Sequence, residues 1–162
     1  MVIGYLSVKK IDGKHIGGIL VVDKRGIPVE FKYTDPVVPT ELQKILYGSS
    51  LETYLHADII ATSLLGKLEN NPIVILTDHP DLVEVDKRIL LVSESTERVE
   101  NTKEIGEGEY LIPFQGRAIR IVSKEKPSQE VLEKIKEISE ELDIMEPFER
   151  LDRALRYVCS ST

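Results

Sequence analysis

The chain has 162 residues, 41% of them hydrophobic and 30% charged, so it holds enough apolar surface to offset ordering entropy and too much for a disordered chain. A net charge of −7 lacks the dominant basic field that phosphate neutralisation needs, which argues against a nucleic-acid partner. The single cysteine, Cys159, excludes an internal disulfide, and the opening Met1 to Lys10 lacks the basic start and long apolar run of a signal peptide, so a cytoplasmic chain with no membrane partner is expected.

Strands dominate the first third. Val2 to Lys9 and Ile16 to Asp23 are apolar β-forming runs separated by the turn pair Asp12-Gly13. Asp23-Lys24-Arg25-Gly26 then supplies hairpin-turn chemistry, and Pro28 to Tyr33 returns with Val29, Phe31 and Tyr33 alternating on one face. Pro36 and Pro39 exclude helix until Thr40, where Thr40-Glu41-Leu42-Gln43 fits a capping box. From there Leu42, Ile45, Leu46, Leu51, Leu55, Ile59, Leu64, Leu65 and Leu68 recur at helical spacing to about Glu69, with a kink or break expected at Gly48-Ser49-Ser50.

Ile73 to Thr77 reads as a fully buried strand, Leu82 to Val85 as a short one and Ile89 to Ser93 as a firmer one. The acidic stretch Glu94 to Glu109 is expected to be a loop, and Tyr110 to Phe114 pairs with Ala118 to Ser123 around Gln115-Gly116. Two amphipathic helices close the chain, one carrying Val131, Ile135, Ile138 and Leu142, the other Phe148, Leu151, Leu155 and Val158. The order predicts an α+β fold with an antiparallel or mixed sheet, one long interior helix and a C-terminal helical hairpin. In domain terms, residues 1–125 form the sheet domain and 126–162 the helical hairpin packed on it. Scarce Asn and Gln, no Trp and abundant Glu and Lys match the bias of proteins from hot environments.

The segment Gly17-Gly18-Ile19-Leu20-Val21-Val22-Asp23-Lys24-Arg25-Gly26-Ile27-Pro28-Val29 resembles the opening hairpin of roadblock and longin-like regulatory modules, as does the order hairpin, helix, three strands, helix. That resemblance implies a small dimerising sandwich that serves as a platform for small GTPases or other protein partners.

Reactive groups are few. Thr77-Asp78-His79-Pro80 sits at the end of a buried strand, where Asp78 can orient His79 for base work or both can ligate a metal, although Asp-His-Pro-Asp is also ordinary loop chemistry. On the long helix His56 and Asp58 point about 200° apart, whereas Glu52 and His56, four residues apart, share a face. Glu52, His56 and His79 are therefore the metal-ligand candidates, to be tested by whether His56 and His79 converge. No phosphate loop, nucleophile elbow or cofactor motif is present, and no cofactor is expected. With no complete reactive set, the leading expectation is a non-catalytic binding or scaffold module that self-associates as a homodimer, and not an enzyme. The competing one is a metal-dependent or hydrolytic enzyme built on Asp78, His79 and His56.

Overall fold

A computed structural model describes residues 1–161. Strands β1 (Val2–Ile11), β2 (Lys14–Asp23) and β3 (Pro28–Tyr33) form an antiparallel meander. Helical turns then occupy 41–67, starting with α1 (Glu41–Tyr47) and continuing through a 3₁₀ turn Gly48–Ser50, α2 (Leu51–Thr53), a π-helical segment Tyr54–Ala61 and α3 (Thr62–Lys67). Next come β4 (Val74–Thr77), β5 (Ile89–Ser95), β6 (Lys103–Gly106), β7 (Glu109–Phe114) and β8 (Arg117–Val122), then α4 (Gln129–Glu141) and α5 (Glu146–Ser160). The eight strands form one sheet in the order β3-β2-β1-β4-β5-β8-β7-β6. Only β1 with β4 and β4 with β5 run parallel, which makes this a mixed sheet in an α+β fold.

Helices cover both faces. On one face Tyr5, Leu20, Leu76, Ile112 and Ile119 pack with Leu132, Ile135, Leu151 and Leu155 of α4 and α5. On the other, Leu6, Val8, Ile19, Val21 and Ile75 pack with Ala57, Ile60, Ala61 and Leu64. Gly17 and Gly18 in β2 permit both layers to approach. A Cβ on Gly17 would lie 2.2 Å from Ile60 Cγ2, and one on Gly18 would lie 2.8 Å from Leu155 Cδ2.

The expected hairpin turns are present. Asp23 Oδ1 accepts from the backbone N–H groups of Arg25 and Ile27, and Gln115 and Gly116 take φ of +48° and +75° between β7 and β8. The capping box at α1 also forms: Gln43 N–H donates to Thr40 Oγ1 at 3.1 Å and Thr40 N–H to Gln43 Oε1 at 2.9 Å.

The break expected at Gly48 is present, with φ +52°, while four other expectations change. The π-helical turns displace the apolar stripe by one position. Leu55 is thus followed inward by Ile60 at 0% exposure, while Ile59 is 39% exposed. Leu42, Ile45 and Leu46 of α1 face solvent instead of the core. Leu82 to Val85 is no strand, because Pro80–Leu82 forms a 3₁₀ turn, and the loop expected over 94–109 contains β6. A hairpin of the terminal helices is not confirmed: α4 lies against β7 and α5 against β1 and β2. Their link is pinned to the sheet by the Tyr5 hydroxyl, which donates to the Ile144 carbonyl at 2.6 Å. Among the described residues no helix is long and apolar enough to cross a membrane.

Candidate metal centre

The chain contains three histidines, and all three meet at one end of the central strands. His15 begins β2 and shares the face of Gly17, Ile19 and Val21, the face covered by the π-helical segment. His56 projects from that segment, and His79 follows β4, two residues beyond Thr77. His15 Nδ1 and His56 Nε2 are hydrogen-bonded at 2.9 Å, and the His56 and His79 rings meet edge to face with centroids 5.1 Å apart.

Asp81, in the 3₁₀ turn that follows His79, completes the group. One ligand atom from each of His56, His79 and Asp81 lies within 4.8 Å of the others. Thr53 Oγ1 donates to Asp81 Oδ2 at 3.3 Å, and His79 N–H donates to Thr77 Oγ1 at 3.2 Å, so helix and strand each hold one side of the cluster. His56 is buried, His79 is half-buried and Asp81 is exposed, so the centre opens to solvent on one side.

In this cluster two atoms, His56 Nδ1 and His79 Nδ1, are buried with no hydrogen-bond partner among the described residues. Buried polar atoms are ordinarily paired, and an imidazole nitrogen without a partner beside a carboxylate is the donor set of a divalent transition metal. Burial, then the neighbouring His79 and His15, push the His56 pKa down to about 4. Burial, then the Lys10 ammonium, lower that of His15. Neutral imidazoles are the form that ligates metal.

The neighbouring residues Asp78 and His79 do not act as a pair. Successive side chains of an extended segment leave on opposite faces. Asp78 accordingly turns to the α5 side, where Ser7 Oγ donates to its Oδ1 at 2.9 Å and Lys9 Nζ lies 3.8 Å from its Oδ2. Lys9 also lies 3.3 Å from Asp152 of α5. Burial disfavours the Asp152 carboxylate, but hydrogen bonds from Arg156 and Lys9 outweigh it and hold its pKa below the usual range. The contacts of Asp78 thus run to Ser7 and Lys9. Glu52 lies outside the ligand group and pairs with Lys10 at 3.6 Å, although its charge favours protonation of His15 and His56. Sequence reasoning overlooked His15 and treated Asp81 as turn chemistry. The signal for His15 was the strand alternation that sets it on the Ile19 face.

No protein-family model and no curated protein matches the chain. Solved structures do share its fold. Endonuclease V from Streptomyces avermitilis aligns over 99% of this chain and 82% of its own, with a TM-score of 0.64 and 12% identity. Human ENDOV aligns over 99% and 84%, again at 0.64 and 12%. Ciona intestinalis endonuclease V, in complex with a 24mer DNA containing an inosine followed by a ribo-adenosine, aligns over 99% and 86% at 0.51 and 15%. At these identities the likeness is one of fold.

The roadblock and longin-like resemblance is thereby corrected, because the hairpin 17–29 that carried it is the edge of a larger mixed sheet shared with endonuclease V structures. The non-catalytic scaffold reading is also overturned. Its fold neighbours are nucleases, and its polar residues do form a set. The two sheet faces take up only part of the apolar helix surface that suggested a homodimer, since Leu42, Ile45 and Leu46 of α1 stay exposed. The exclusion of nucleic acid fails as well, since a chain of this fold is bound to DNA and net charge averages over the whole molecule.

Proposed function

We propose that the chain is a metal-dependent hydrolytic enzyme that cleaves phosphodiester bonds in nucleic acid, with its metal held by His56 Nδ1, His79 Nδ1 and the Asp81 carboxylate. The observation that carries the reading is the pair of buried, unpartnered imidazole nitrogens within reach of one carboxylate. Two imidazoles with one carboxylate suit a zinc-class ion better than magnesium, which prefers an all-oxygen shell. Bound there, such an ion supplies Lewis acidity to a phosphoryl oxygen.

The protein's own residues do the rest. Thr53 orients Asp81 through its hydroxyl, and the buried wall of Leu55, Ala57 and Ile60 fixes the π-helical segment that carries His56. Lys10 stands opposite His15 in the β1–β2 register, where it pairs with Glu52, so one basic side chain borders the centre despite a net charge of −7. The nucleic-acid substrate is supported by the fold shared with endonuclease V and by the DNA complex of the Ciona protein. The half-open geometry leaves room for a backbone segment to approach from the Asp81 side.

The test is cleavage of labelled single-stranded and duplex oligonucleotides, with and without one inosine, by the chain loaded with zinc, manganese or magnesium. Strand scission that requires zinc or manganese and is abolished by a chelator and by His79→Ala is expected. Intact oligonucleotides with every metal, from a chain shown to be metal-loaded, overturn the proposal.

A further inference from the structure

His15 does not belong to the three ligands, yet among the described residues it alone hydrogen-bonds a ligand imidazole ring. The bond between His15 Nδ1 and His56 Nε2 has two readings, which differ in where one proton sits. If His15 Nδ1 carries it, His56 Nε2 accepts, and the neutral His56 ring must carry its own proton on Nδ1. That N–H would be buried with no acceptor, beside His79. If His56 Nε2 carries it and donates to His15 Nδ1, then His56 Nδ1 presents a bare lone pair toward the His79 and Asp81 side. Both readings leave His56 Nδ1 without a protein partner, but only the second presents it as the bare lone pair that a cation can satisfy, so the second is the arrangement competent to bind metal.

We propose that His15 is a positioning residue whose Nδ1 accepts the His56 Nε2 proton and thereby aims the His56 Nδ1 lone pair at the cation. This rests on the metal centre proposed above and deepens it. The backbone is arranged to hold such a lever: His15 N–H donates to the Val37 carbonyl at 2.8 Å, and Val37 N–H returns a bond to the His15 carbonyl at 2.8 Å. His15 is therefore tied to β1 on one side and to the 34–39 strap on the other, and its ring is 2% exposed. A ligand histidine whose second nitrogen is fixed by a hydrogen bond keeps one tautomer and one ring orientation, and loss of that partner weakens metal affinity by about 10–100-fold.

The first experiment uses the unmodified, metal-free chain at neutral pH: ¹⁵N NMR of the imidazoles, assigned through His15, His56 and His79 variants. His56 protonated on Nε2 is expected, and His56 protonated on Nδ1 overturns the proposal whatever the metal data show. The second measures zinc and cobalt(II) affinity by chelator competition, with the cobalt visible spectrum as a record of ligand geometry. His15→Leu is expected to lose about 10–100-fold in affinity. His15→Asn, whose side-chain oxygen can accept in place of Nδ1, is expected to stay within a few-fold of the wild type. Equal affinity of His15→Leu and wild type refutes the positioning role and leaves the metal centre standing. A wild-type chain that binds no zinc or cobalt refutes the centre itself.

Discussion

Replacing Gly17 by Ala probes the contact on which the centre is built. The new Cβ would stand 2.2 Å from Ile60 Cγ2, 3.3 Å from Leu64 Cδ1 and 3.4 Å from the Ser7 carbonyl oxygen. Ordinary carbon contacts lie at about 3.5–4.0 Å, so the π-helical segment must retreat by more than 1 Å or Ile60 must leave its rotamer. Overpacking of this kind costs about 1–3 kcal/mol, which for a domain of this length lowers the thermal midpoint by roughly 2–12 °C. The same retreat carries His56 away from His79, so zinc affinity should fall with stability. Thermal and urea unfolding of Gly17→Ala, Ile60→Ala and the double variant measure the effect. Ile60→Ala removes the clashing methyl, so adding Gly17→Ala to it should cost little, giving a coupling of about 1–3 kcal/mol. A Gly17→Ala protein within about 0.5 kcal/mol of wild type, or a cycle with no coupling, refutes the packing argument.

The division of Asp78 from His79 makes opposite forecasts for two nearby carboxylates. Asp81→Asn should weaken zinc binding by at least tenfold, whereas Asp78→Asn should leave it within about twofold while loosening the link from Ser7 and Lys9 to α5; chelator competition reads both. Metal-free stability should fall on acidification. Folded His56 resists protonation down to about 4, against 6.5 when unfolded, so its contribution is complete above pH 6.5 and is lost as the pH falls towards 4. At about 1.4 kcal/mol per pH unit this sets a ceiling of about 3 kcal/mol, lowered by water reaching the open side; a His56→Gln chain should show a flatter slope in urea titrations at stepped pH. Thr40→Ala should remove the capping box and cost about 1 kcal/mol locally, seen as faster amide exchange in α1 with little change in global stability, because α1 buries no residue.

Local chemistry was the legible part of the sequence. Thr40 and Gln43, Asp23 and Gly26, and Gln115-Gly116 each specify their own turn or cap within four residues, and each forms as read. The eight-stranded order was not legible, because the pairing of β1 with β4 depends on residues about seventy positions apart. The helix phase failed at a definite place. A 3.6-residue period directs Ile59 inward after Leu55, but the π-helical turns bury Ile60, and nothing in the residue types marks that change.

The candidate site was legible in fragments. His56 and His79 were paired on residue type alone, and their convergence met the stated condition. Where Asp78 points was not legible, because the chain bends just past β4 and its partners Ser7 and Lys9 lie about seventy positions away. Strand alternation could set His15 on the Ile19 face, but not beside His56, which lies 41 positions away and joins it only when the π-helical segment crosses β2. The charge argument against nucleic acid failed for a related reason: a sum over 162 residues does not say where on the surface the charges lie.

The most direct measurement is anomalous diffraction at the zinc edge from crystals grown with the ion. One zinc per chain is predicted, within about 2.0–2.2 Å of His56 Nδ1, His79 Nδ1 and an Asp81 carboxylate oxygen. Zinc-saturated crystals with no ion in that cluster, or with the ion between Asp78 and Asp152 on the opposite face of the sheet, contradict the account.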